Sequence, residues 1–160
     1  MNKNIDTILK KRLAGKVVVV GVGNCDSCDD GAAVYMTEKL KGSNSLKPLV
    51  VGDFPEFYLQ NIIEENPDVV MFVDSADMGT TPGSAAIIEQ DQLPVTWGNT
   101  HHPPLSIIMK YVSEQTNADI FLLGIQPENI SHGKDISPQV IRTVNLMIAI
   151  INKIASAKMR

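Results

Sequence analysis

The chain has 160 residues, a formal net charge of −4 and a hydrophobic fraction of 44%. That length suits one domain with a core of its own, and 20% charged residues describe a globular composition rather than a disordered one. Mild acidity offers no electrostatic footprint for nucleic acid, two cysteines exclude a disulfide-built secreted module, and three histidines oblige any metal site to be economical with ligands.

Residues 1–16 are polar and basic, without the apolar centre and small-residue cleavage site of a signal peptide. Residues 16–22 form a β-branched run that suits a strand buried on both faces, broken by Gly21, Gly23 and Asn24. Helical spacing follows over 31–40, with Ala33, Met36, Thr37 and Leu40 on one side. Residues 47–51 predict a second strand, 55–66 a helix closed by Pro67, and 69–74 a third buried strand. After the Pro82-Gly83 turn, 84–89 predicts an antiparallel edge piece. An amphipathic helix is expected over 103–115 and another buried strand over 119–124. Ser137 and Pro138 read as the N-cap and first turn of a long last helix. Its apolar stretch, 140–155, is interrupted by Arg142, Asn145, Asn152 and Lys153, so no run reaches the roughly 18 apolar residues of a membrane span. The expected compartment is the cytoplasm, with no membrane partner.

Short apolar strands alternating with helices predict an α/β chain. The expected architecture is a single three-layer α/β/α domain over 1–160, with a mainly parallel sheet of about five strands and an antiparallel edge strand. In such sheets ligands gather beyond the carboxyl ends of the strands, and three of those ends are polar.

The first is Gly21-Val22-Gly23-Asn24-Cys25-Asp26-Ser27-Cys28-Asp29-Asp30-Gly31. A glycine loop entering a helix can cradle phosphate. Here, however, the third glycine of the dinucleotide spacing and the Gly-Lys-Ser/Thr of a P-loop are absent, and Asp26, Asp29 and Asp30 repel an anion. The loop suits a cation; alternatively Asp29 or Asp30 caps the helix. The second end carries Asp74, a position that is costly for a carboxylate unless it is paired, hydrogen-bonded or on a metal, or turned into a loop. Asp77, followed by Met78-Gly79, has the stronger claim to a turn role. The third polar stretch is Thr100-His101-His102-Pro103-Pro104, where a histidine is either a surface residue or a ligand. His132 reads as a solvated loop residue. Two aspartates and one histidine from loops at one end of the sheet form a mixed N/O set that suits zinc, nickel or a similar divalent ion, with coordination positions left open as in an active site. Cys25 and Cys28 form a C-x-x-C with no second pair, which reads as a redox pair, half of a zinc site or two incidental residues.

Four stretches in this order resemble the nickel–iron (NiFe) hydrogenase maturation endopeptidases, and most nearly the branch serving formate hydrogenlyase-type hydrogenases. They are Gly21-Val22-Gly23-Asn24 with Asp29-Asp30-Gly31; Val73-Asp74-Ser75-Ala76-Asp77-Met78-Gly79 with Pro82-Gly83; Thr100-His101-His102-Pro103-Pro104-Leu105-Ser106; and Leu122-Leu123-Gly124-Ile125-Gln126-Pro127-Glu128. The resemblance runs from about Lys16 to the last helix. It implies a hydrolase, aspartic-type by family classification, that clips the C-terminal extension from a hydrogenase large-subunit precursor after nickel has entered it, just past a C-terminal cysteine motif. It implies Asp30, Asp74 and His101 as the catalytic and metal-contacting residues, nickel supplied by the precursor, and a monomer. Asp30 stands where relatives carry Glu or Asp, and His101 rather than His102 matches the Thr-His-x-x-Pro pattern. A non-catalytic nickel-sensing or nickel-binding assembly factor is the alternative. The chain departs from the pattern at Cys25-Asp26-Ser27-Cys28 and at Gly52-Asp53-Phe54-Pro55-Glu56, which bear on metal preference and on the rim that receives the substrate tail; Tyr58 and Trp97 are candidates for that rim.

Overall fold

The computed structural model describes residues 5–94 and 103–158. Its strands are β1 (Val17–Val22), β2 (Leu46–Gly52), β3 (Val69–Ser75), β4 (Ala85–Glu89) and β5 (Asp119–Ile125), joined in one sheet in the order β2-β1-β3-β5-β4. The pairs β1–β2, β1–β3 and β3–β5 are parallel, and β4 runs antiparallel to β5 at the edge, as the hydrophobic pattern predicts. Pro48 lies in β2, the other edge strand, where a missing N–H costs no ladder bond to a further neighbour.

The valines of β1 are buried on both faces. Val17 and Val19 join the core under helices α1 (Ile5–Arg12), α2 (Ala32–Lys39) and α5 (Pro138–Ala157). Val18, Val20 and Val22 join the opposite core under α3 (Leu59–Glu64) and α4 (Leu105–Gln115). Because side chains alternate along a strand, Asp74 continues the face of Val70 and Phe72, toward α3 and α4.

Two expectations change. The polar, basic N-terminal stretch contains α1: Ile5, Leu9 and Leu13, four residues apart, are buried against the first core. Arg12 fastens its end by bonding Asp119 at 2.8 Å and pairing with Glu89, while its guanidinium lies 4.0 Å from the centre of the Phe121 ring. The expected helix over 55–66 is a 3-10 turn, Pro55–Tyr58, followed by the short α3, and Asn66 closes it with φ 46°. Helix α5 is long and apolar enough by length and composition to cross a membrane, although polar residues interrupt its apolar stretch. Here Val140, Val144, Met147, Ile151 and Ile154 place one side of it in the first core.

Leu9 is fully buried, so Leu9→Ala should cost about 3 kcal/mol. The measurement is the urea midpoint, and an unchanged midpoint would show that α1 contributes nothing to the core.

Candidate functional site

The loop after β1 is shaped by close backbone contacts. Gly23 has φ +138°, and a Cβ there would lie 1.9 Å from the Asp30 carbonyl oxygen, so only glycine fits. Its amide donates to the Gly52 carbonyl at 3.0 Å, binding this loop to the end of β2. A 3-10 turn, Cys28–Gly31, then leads into α2. Neither aspartate caps that helix: the residue before α2 is Gly31, and no side chain bonds its first amides. The capping expectation fails because both carboxylates have partners elsewhere.

Asp29 is fully buried. One oxygen accepts from the amides of Glu128 (2.8 Å) and Asn129 (3.0 Å) and from the Ser137 hydroxyl (2.8 Å); the other accepts from the Ser137 amide at 2.6 Å. Burial pushes its pKa up, but the amides of Ser137, Asn129 and Glu128 together with the hydroxyl outweigh burial and hold it below the ordinary carboxylate value. Ser137 thus spends its hydroxyl on Asp29 rather than on capping α5, which has no side-chain cap.

Asp30 faces the other way. It accepts from the Asn24 amide at 2.9 Å and from the Ser75 hydroxyl at 2.7 Å. Ser75 ends β3 beside Asp74, so two strand ends are tied together. Asp74 itself is half-buried. Burial, then the negative charge of Asp30, push its pKa well above the ordinary value; a hydrogen bond from the Ser75 amide opposes this, and the charge of Asp53 after β2 adds to it. The structure therefore brings Asp30 and Asp74 together, with Asp53 in electrostatic reach. A cavity of about 450 Å³ opens against Asp74, walled by Met78, Ile88, Leu93, Leu105 and Leu122.

Gln126 shapes one side of this cavity. Buried at the end of β5, it accepts from the amides of Met78 (2.7 Å) and Thr80 (3.3 Å) and donates to Asp77 at 3.2 Å. Asp77 also accepts from the Gly79 amide at 3.1 Å, the expected turn role. In the sequence, Ser75 and Gln126 show only as polar residues at the end of an apolar strand, with no task marked for either.

His101, His102 and Trp97 lie outside the described residues; Pro104 lines the cavity. Tyr58 is half-buried and packs against the second core, and the exposed aromatics beside it are Phe54 and Phe57. His132 is exposed, as expected. Cys25 and Cys28 are free thiols lining a separate cavity of about 220 Å³. Burial, then the charge of Glu38, push the Cys25 thiol up, which disfavours the reactive thiolate. Among the described residues no three His, Cys, Asp or Glu side chains gather as a metal site, so Asp30 and Asp74 form at most part of a ligand set.

A family model described as HycI, hydrogenase maturation protease, matches residues 34–154. A Methanocaldococcus jannaschii protein designated a hydrogenase maturation protease is 32% identical over 156 residues, covering 89% of this chain and 92% of its own. The crystal structure of the NiFe hydrogenase maturation protease HycI from Thermococcus kodakarensis superposes with TM-score 0.84 at 29% identity, over 92% of this chain and 97% of that one. The solution structure of an endopeptidase HycI from Escherichia coli gives TM-score 0.74 at 26% identity, over 86% and 90%.

Because the Asp29 pKa is lowered on folding, its contribution to stability is present above the unfolded value near about 3.9 and is lost as pH falls through the lower folded value. Asp29→Asn places an amide against donors and should cost about 3 kcal/mol at neutral pH. Urea unfolding at pH 7 and pH 3 should show the gap between variant and wild type narrowing in acid. Equal stabilities at pH 7 would contradict the anchoring role.

Proposed function

The chain belongs to the hydrogenase maturation protease family, and on that premise we propose that it is the endopeptidase that removes the C-terminal extension of a NiFe-hydrogenase large-subunit precursor after nickel insertion. The observation that carries this reading is the juxtaposition of Asp30 and Asp74 at neighbouring strand ends, where the charge of Asp30 disfavours that of Asp74, beside an open apolar cavity. Two carboxylates so placed are stabilised by a proton or a cation between them. A divalent ion carried in by the substrate meets that need, and the protein then requires no resident metal.

In this reading Asp30, Asp74 and His101 contact the nickel of the precursor, the imidazole completing a mixed N/O set. Nickel acts as a recognition element that sets the scissile bond against the carboxylates, and it polarises the peptide carbonyl or the attacking water. Ser75 and the Asn24 amide hold the Asp30 carboxylate in one orientation. The raised proton affinity of Asp74 suits a group that takes a proton from water as it attacks and passes it to the departing amine. Both roles put Asp74 at the reacting centre.

Asp74→Asn separates function from stability. The folded-state pKa of Asp74 lies above its unfolded value, so ionisation at neutral pH costs folding free energy, and the neutral isostere removes that cost. Intact-mass assay of nickel-loaded precursor should show processing reduced by at least about 100-fold, while the urea midpoint at pH 7 rises. Asp30→Ala and His101→Ala should also lose processing. Wild-type rates in all three variants would overturn the assignment. Binding of the nickel-loaded precursor by the wild type without cleavage would favour the assembly-factor reading instead.

A further inference from the structure

Phe54 and Phe57 stand on the 3-10 turn that follows β2. Their rings are stacked, with centroids 5.8 Å apart and planes 23° from parallel. Phe57 is 74% exposed and Phe54 43%, so the pair shows apolar surface to solvent instead of adding it to the core. Clustered aromatic surface left open to solvent is of the kind that contact sites use. The fold does not need it here, since Tyr58 and Leu59, next in the chain, supply the packing against the second core.

The position of the pair along the sheet gives it meaning. In the order β2-β1-β3-β5-β4, the aromatic pair follows the carboxyl end of β2, Asp30 lies in the loop after β1 and Asp74 at the end of β3, and the apolar cavity opens against Asp74 and runs down the face of β5 and the antiparallel β4. Leu122 of β5 and Ile88 of β4 line that cavity. The Gly23–Gly52 backbone bond joins the aromatic turn to the Asp30 loop, and the Asp53 charge, next to Phe54, reaches Asp74. Apolar surface therefore flanks the carboxylates on both sides, along a line that crosses the strands.

Strands sit about 4.8 Å apart, so the three intervals from β2 to β5 span about 14 Å. An extended peptide advances about 3.3 Å per residue and covers that distance in roughly four residues. Building on the endopeptidase reading above, we propose that the precursor lies as an extended segment across the strand ends, with one apolar side chain in the Met78–Ile88–Leu93–Leu105–Leu122 cavity, another against Phe54 and Phe57, and the scissile bond between them over Asp30 and Asp74. Phe54 and Phe57 are specificity residues that act in binding and take no part in bond breaking.

The test compares wild type, F54A/F57A and F54L/F57L on nickel-loaded precursor, with processing followed by intact mass. In F54A/F57A, KM should rise about tenfold with kcat unchanged, and F54L/F57L should recover most of that loss because it restores apolar area. A precursor whose apolar residues within four positions of the cut are replaced by Ser should raise KM for the wild type and abolish the difference between wild type and F54A/F57A. Equal KM values for wild type and F54A/F57A on the unaltered precursor would overturn the proposal, as would a fall in kcat alone. If the wild type leaves the precursor uncut, the endopeptidase reading fails first and this inference falls with it.

Discussion

The buried carboxylate of Asp29 accepts four hydrogen bonds from Glu128, Asn129 and Ser137, so that the loop after β1 and the connection from β5 to α5 are locked to each other through one side chain. Its neighbour Asp30 then has no freedom to share those donors and turns toward Asn24 and Ser75. The separation of tasks between adjacent aspartates follows from this: one is satisfied, lowered in pKa and structural, while the other is aimed at the end of β3. Gly23 enforces the same arrangement from the backbone, since any Cβ there would collide with the Asp30 carbonyl.

Opposite Asp30 stands Asp74, and here the electrostatics run against stability. A buried strand delivers a carboxylate to a half-dry position beside a like charge, an arrangement that a fold selected only for stability would replace with an amide. The proposed function accounts for the cost through a cation that enters with the substrate. The small supply of metal-capable residues in this chain agrees with that, because a protein that meets a metal already held by its substrate needs only part of a ligand set.

The strands were legible in the sequence because continuous apolar, β-branched runs leave few alternatives, and the antiparallel edge piece because a Pro-Gly turn precedes it. Helix α1 was hidden: Ile5, Leu9 and Leu13 keep helical spacing, but lysines and an arginine around them dominate the composition. Asp29 was visible as a polar residue at the right place but not as an anchor, because its donors come from about a hundred residues further along and only the folded topology brings them there. Ser75 and Gln126 were concealed for the same reason. Cys25 and Cys28 share a cavity and neither joins the carboxylates, so the C-x-x-C marks a feature of the loop beside the site.

In the proposed function substrate-borne nickel is what makes the two carboxylates useful, and one measurement bears on that proposal most directly. Large-subunit precursor, prepared with and without nickel, is incubated with the full chain, and its intact mass is followed over time. Loss of the C-terminal segment from the nickel-loaded form alone is the predicted result. Equal cleavage of the nickel-free form would show that Asp30 and Asp74 work without the metal, and would contradict the role assigned to them.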